Sequence, residues 1–293
     1  MRRLVVTADD VGLAPGMTRG ALEAAECGIV TAVSVAPVGE AFDDAVAQLR
    51  RVPQLDVGAH FVLVGERPLS PPAEVPSLLG RDDRLLPGFA AFCARYARGG
   101  IVLDELRREL GRQLALLLDS GLRVLHLNSH QHLHALPRVF DVMVELAAEH
   151  GIPFVRIPDD PQLPAPVTSR AAALHALRAL ARRRRRRVGG DSRVQALDGV
   201  LGLYAAGHLT PRRLQAVLAT RWQGRYELVC HPGSGAADLA SRYRWGYDWD
   251  AERAALCDPA LPALLAAHGI ELTSFARLLT SPATPPAASP GRL

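Results

Sequence analysis

The sequence predicts an α/β fold: a single (β/α) barrel, irregular, with seven or eight strands. Short apolar runs of strand character alternate with longer helical stretches, the pattern of βα units and a mainly parallel sheet. The 293 residues are enough for one such barrel with a large buried core. Residues rich in oxygen and nitrogen donors recur just after the strands, where parallel α/β folds place their sites. One barrel domain is expected over residues 1–280, with no internal boundary and no internal repeat.

The first strand, residues 4–8, is wholly apolar or β-branched and ends in Asp9-Asp10. A helix over 17–27 follows, entered near Pro15. Strand 31–36 leads to helix 42–51, and strand 55–59 ends at His60. Residues 64–87 are rich in Pro, Gly and charge and read as a loop over the site. Helix 103–119, strand 124–127 and helix 137–150 come next, then strand 154–157 and helix 169–187. Residues 196–201 are a weaker eighth strand; helix 211–220, strand 226–230, helix 259–268 and strand 270–274 complete the barrel. The tail 281–293 holds four prolines among small residues and is expected to be disordered.

Bulk properties exclude several classes. At 48% hydrophobic the chain is globular, and no apolar run is long and uncharged enough to span a bilayer. The acids at 9 and 10 interrupt the first apolar stretch too early for a secretory signal, so a cytoplasmic location is expected. Cys27, Cys93, Cys230 and Cys257 are scattered, with no CxxC pair. Buried, reduced thiols are expected rather than a zinc ribbon or a disulfide framework. The net charge of +4 is concentrated in the arginines at 182–187. That run reads as a solvated helix end stopped by Gly189-Gly190, or as a peripheral contact with anionic lipid. Aromatic residues do not interleave it, which argues against nucleic acid.

The candidate chemistry lies at the strand ends. Adjacent acids, Asp9 and Asp10, reach a barrel mouth from different directions if the backbone turns there; the plainer alternative is a helix cap. His60 ends the third strand, and His130, His132 and His134 follow the fourth. Arg156 lies near the end of the fifth, and His231 follows Leu228-Val229-Cys230. Two imidazoles and a carboxylate suit zinc or another divalent ion that activates water and polarises a carbonyl. A second carboxylate would then be a general base and a histidine opposite it a general acid. At most two of His130, His132 and His134 can reach one metal; the others bind substrate or join a polar network.

Four segments carry a resemblance: Val6-Thr7-Ala8-Asp9-Asp10-Val11-Gly12-Leu13, Gly58-Ala59-His60-Phe61-Val62-Leu63, Leu127-Asn128-Ser129-His130-Gln131-His132-Leu133-His134 and Val229-Cys230-His231-Pro232. Together, in this order, they resemble the YdjC-like carbohydrate deacetylases, and the similarity runs from residue 1 to about 275. The resemblance implies a polysaccharide-deacetylase-like (β/α) barrel that removes N-acetyl groups from amino sugars with one divalent metal, Mg2+ or Zn2+. Carried over, Asp10, His60 and His130 are the metal ligands, Asp9 the base, His231 the acid and Arg156 the group that holds the base. His132 and His134 are assigned to substrate. Many chito-oligosaccharide members have Asp where this chain has Asn128, and Phe where it has Val11. Asn128, the arginine-rich helix and Gly207-His208 look closer to the hopanoid-biosynthesis-associated subgroup, which implies an N-acetylglucosaminyl lipid.

Two rivals stand beside this reading. One is another metal-dependent hydrolase on the same barrel, a phosphoesterase or a glycosidase. Adjacent acids with histidines fit a metal site better than the separated carboxylate pair of a glycosidase. The other is a non-enzymatic protein that binds anionic ligands or a membrane surface through its arginines. The sequence leaves the possibility of a homo-oligomer open.

Overall fold

The strands are β1 (Arg2–Val11), β2 (Ala32–Val35), β3 (Asp56–Phe61), β4 (Val124–Ser129), β5 (Phe154–Val155), β6 (Gly199–Leu201), β7 (Gly224–Cys230) and β8 (Ile270–Leu272). The helices are α1 (Pro15–Glu26), α2 (Phe42–Leu49), α3 (Phe89–Ala97), α4 (Leu103–Asp119), α5 (Pro137–Glu149), α6 (Ser169–Arg184), α7 (Pro211–Ala219), α8 (Ala236–Arg242), α9 (Trp249–Leu256), α10 (Leu261–Ala267) and α11 (Phe275–Thr280). This computed structural model describes residues 1–188 and 193–280. The proline-rich tail and Gly189-Gly190 lie outside the described residues.

The sheet order is β5-β4-β3-β2-β1-β7-β6, and β8 pairs with the first residues of β1. All pairings are parallel. Irregular backbone joins the two ends: Val155 N–H donates to Gln195 O at 2.9 Å and Val200 N–H to Asp159 O at 3.1 Å. The architecture is the α/β barrel that the alternation implies. β1 is its central stave. Leu4, Val6 and Ala8 pack outward in the main core under the helices, and Val5 points into the barrel. Burial on both faces explains its continuous apolar run. Among the described residues, no helix is long and apolar enough to cross a membrane.

α11 closes the barrel end opposite Asp9. Phe275 stacks on His126, ring centroids 4.3 Å apart, and packs with Val5, Phe154 and Leu197. Gly58 is required beside it, because a Cβ there would come within 2.3 Å of the His126 ring.

Several elements differ from expectation. β5 has two residues instead of four, because Pro153 and Pro158 flank it and proline donates no ladder hydrogen bond. α3, α8, α9 and α11 were not expected; at six to nine residues they are too short to show a helical period. Residues 64–87 are not a free loop. Two 3-10 turns punctuate the segment, and the Glu109 carboxylate of α4 accepts Leu69 N–H and Ser70 N–H at 3.0 and 2.9 Å. Of the thiols, Cys230 is buried, Cys93 and Cys257 are half-buried and Cys27 is exposed, which corrects the expectation of four buried groups.

The arginine run is partly tied down. Arg182 pairs with Asp159 at 3.3 Å and Arg184 with Asp141 at 3.4 Å. Arg185 donates to the carbonyls of Leu197 and Asp198 at 2.9 and 2.8 Å, which locks the end of α6 to the approach of β6.

Candidate active site

At the end of β1 the backbone of Asp10 turns left-handed, φ +66°. Asp is among the few residues that tolerate this conformation, which costs most side chains about 1–2 kcal/mol. The turn brings both acids to one site. Neither caps a helix: the residue that starts α1 is Ala14, with no side-chain cap. Asp9 points into the barrel and Asp10 across its mouth towards β3 and β4.

Asp10 Oδ1 lies 3.0 Å from His60 Nε2 and 2.8 Å from His130 Nδ1. The three ligand atoms lie within 4.8 Å of one another, and all three residues are buried. Among the described residues Asp10 Oδ2 has no hydrogen-bond partner, nor has His60 Nε2, whose contact with Asp10 Oδ1 is not a hydrogen bond. Buried polar atoms without partners are costly, so their convergence makes a place that a cation would fit. Two imidazole nitrogens and a carboxylate oxygen make a donor set that fits one divalent ion. Burial would raise the Asp10 carboxyl; His130 and His60 outweigh it and hold it well below the ordinary range. Burial would likewise lower His60, but Asp9 and Asp10 carry it above the ordinary imidazole value.

A relay fixes the orientation of His60. Its Nδ1–H donates to Asn128 Oδ1 at 2.6 Å, Asn128 Nδ2 donates to Ser34 Oγ at 2.7 Å, and Ser34 Oγ lies 3.1 Å from His126 Nε2. With Nδ1 donating, Nε2 keeps its lone pair towards Asp10 and His130, as a metal ligand requires. His126 ends this relay. Burial, with the Arg156 charge nearby, pushes it down to about 3.

That shift has a consequence for stability. Between pH 3 and the unfolded value of ~6.5, the unfolded state binds a proton at His126 that the folded state does not. Stability therefore rises with pH across that window and is complete above it. Each such histidine contributes up to ~1.4 kcal/mol per pH unit. Urea midpoints at pH 5 and pH 7.5 should differ less in His126→Gln than in wild type. An equal difference in both would exclude His126 as a source of acid lability.

Below the metal group lies a buried charge triad. Arg156 donates to both Asp9 oxygens, at 2.6 and 2.9 Å, and to both Glu227 oxygens, at 2.9 and 2.7 Å. Burial would push the Asp9 carboxyl up, but Arg156 and His60 hold it well below the usual carboxylate range. Asp9 Oδ1 sits 3.9 Å from His60 Nδ1, so it borders the metal group without joining it. Glu227 was not expected. It shares a strand face with Val229 and His231, and that spacing of two is the sign that marks it.

His231 faces this group from β7, its Nε2 3.9 Å from Asp10 Oδ2. Burial lowers it below the ordinary imidazole value, against the pull of Asp10 and Asp9. Glu252 of α9 accepts His231 N–H at 2.6 Å and Leu209 N–H at 3.3 Å, which joins two mouth loops. Burial pushes Glu252 up to about 7. It was not singled out in the sequence, because the helix that carries it was not expected.

The mouth is a cavity of about 370 Å³. Asp9, His60, His130, His132 and His231 line its floor. Trp245 and Tyr247 form one wall; Trp245 lies 4.9 Å from the His130 ring and Tyr247 5.2 Å from that of His231. Ala173, Leu174 and Leu177 of α6, with Leu203, form an apolar wall. The histidine segment divides: Gln131 and His132 adopt left-handed φ of +56° and +53°, so only His130 joins the metal group. His134 is wholly buried, hydrogen-bonded to Ser129 Oγ at 2.7 Å and absent from the cavity wall. The substrate contact expected of it is therefore not available in this structure.

A human carbohydrate deacetylase is 32% identical over 292 residues, covering 93% of this chain and 90% of the relative. A carbohydrate deacetylase of Geobacillus stearothermophilus is 30% identical over 275 residues, covering 94% and 97%. The crystal structure of an Enterococcus faecalis protein, provisionally named a cellobiose-phosphate cleavage protein, shares the fold with a TM-score of 0.71 at 23% identity, covering 94% of this chain and 98% of that one. The family model described as YdjC-like protein matches residues 3–267, and the chain belongs to that family.

Proposed function

We propose that the protein hydrolyses the N-acetyl group of an amino sugar. The observation that supports this most strongly is the convergence of Asp10, His60 and His130 beside the Asp9–Arg156 pair, with Asp9, His60 and His130 lining an aromatic-walled cavity. Asp10, His60 and His130 would hold one divalent cation, and its donor set of two nitrogens and one oxygen suits zinc better than magnesium. Such an ion supplies Lewis acidity to the amide carbonyl and to a water.

The protein's own residues divide the rest. Asp9 takes the proton from the attacking water. Arg156 holds both Asp9 oxygens and fixes their direction. His231, on the opposite side of the mouth, gives a proton to the leaving amine. Its lowered affinity for a proton makes its protonated form a stronger acid. Trp245 and Tyr247 offer flat faces for a sugar ring, and His132 a ring nitrogen for its hydroxyls. The apolar wall of α6 favours a sugar carried on an apolar group, an N-acetylglucosaminyl lipid, over a free chito-oligosaccharide.

The test is acetate release from N-acetylglucosamine oligomers and from N-acetylglucosaminyl lipids, with metal supplied or removed by EDTA. Release that stops with EDTA and returns with metal supports the reading. Bound metal measured by elemental analysis should fall from one per chain to none in His60→Ala. Full occupancy in that variant would remove His60 from the ligands, and acetate release indifferent to EDTA would remove the metal.

A further inference from the structure

We propose that Cys27 and Cys257 form a redox pair that closes to a disulfide when the chain meets a low-molecular-weight disulfide such as oxidised glutathione. The two residues are 230 positions apart in sequence, yet their Sγ atoms lie 3.3 Å from each other. Cys27 is the residue that ends α1, and Cys257 the residue that ends α9. The two chain segments touch through their backbones as well. Ile29 N–H donates to Leu256 O at 3.3 Å. A Cβ on Gly28 would come within 2.3 Å of that same oxygen, so glycine is what lets the segments approach. A disulfide needs close Cα atoms and facing side chains; here the two side chains already bring their sulfurs together, and the backbones of the two segments touch.

The two thiols differ in a way that orders the reaction. Cys27 is exposed and open to attack on an incoming disulfide. Cys257 is half-buried, and burial together with the neighbouring Cys27 pushes its thiol up to about 12. Cys27 as thiolate attacks one glutathione sulfur, forms a mixed disulfide and releases one glutathione thiolate. Cys257, deprotonated in turn, attacks the Cys27 sulfur and expels the second glutathione. Both protein thiols are oxidised, one glutathione disulfide is reduced to two thiols, and the two thiol protons pass to them. The new bond would join α1, which leaves the turn after Asp10, to α9, whose Glu252 holds the main chain of His231.

The full-length protein is equilibrated with oxidised and reduced glutathione, alkylated, and examined by mass spectrometry. The expected result is loss of two of the four alkylatable thiols, a linked peptide containing Cys27 and Cys257, and full recovery with dithiothreitol. The oxidised form should also melt several degrees higher than the reduced form, since a cross-link between distant positions restricts the unfolded chain. Cys257→Ser should accumulate glutathione on Cys27, and Cys27→Ser should form no internal bond. Four alkylated thiols in the strongly oxidising buffer, or a linked peptide containing Cys93 or Cys230, would overturn the proposal.

Discussion

Replacing Asp9 with Asn is expected to lower turnover by about a hundredfold or more while the metal stays in place, the scale of a lost general base. The site separates the two functions. Asp10 faces both imidazoles, whereas Asp9 is held by Arg156 and lies 3.9 Å from the nearest nitrogen of His60. The fold should tolerate the change, because Arg156 retains both hydrogen bonds to Glu227. Steady-state kinetics on an acetylated sugar, paired with elemental analysis of the same preparation, decide the matter. Loss of metal along with activity would make Asp9 a ligand, and near-normal turnover would end its role as base.

Arg156→Met is expected to cost several kcal/mol of stability. The substitution removes one cation from between two carboxylates, all three side chains being at most 2% exposed. Removing one partner from a buried ion pair costs about 3–5 kcal/mol, because the charge left behind is neither solvated nor paired. Two carboxylates would be left here. Asp9 would also lose the group that orients it. Arg156→Lys should recover part of the stability but little activity, since an ammonium cannot span two carboxylates with paired hydrogen bonds. Urea unfolding at pH 7 measures the effect; a loss of under 1 kcal/mol for Arg156→Met would contradict it.

The sequence carried the fold and the gathering of acids and histidines at one barrel mouth well, for a physical reason. In a parallel barrel each apolar run ends at the same rim, so the acids at 9 and 10, His60 and the histidines after the fourth strand could be placed at one mouth from the order of strands; the choice of Asp10 and His130 among them came from the family resemblance. The residues that support them were harder to see. Glu227 stood two positions from Val229 on a strand already identified, and the period of two was sufficient to show that it faced inward. Glu252, Trp245 and Tyr247 come from α9 and the loop before it, where no period exists and only tertiary contact gives the positions meaning. The fate of His134 turned on two left-handed residues, Gln131 and His132, which no side-chain pattern foretells. The meeting of Cys27 with Cys257 depends on how two helix ends close, and local spacing holds no trace of it.

The hydrogen bonds behind His60 have a direction. An amide accepts at one end and donates at the other, so Asn128 takes a proton contact from His60 and gives one to Ser34. Ser34 is thereby left to donate onward to the bare nitrogen of His126. A carboxylate at position 128 would accept at both ends. Ser34 would have to turn its hydroxyl hydrogen towards it, and His126 would have to carry its proton on the other ring nitrogen. One atom at position 128 thus sets the polarity of four side chains, from the metal group down to the plug formed by Phe275. It also decides whether His60 is backed by a neutral dipole or by a full negative charge.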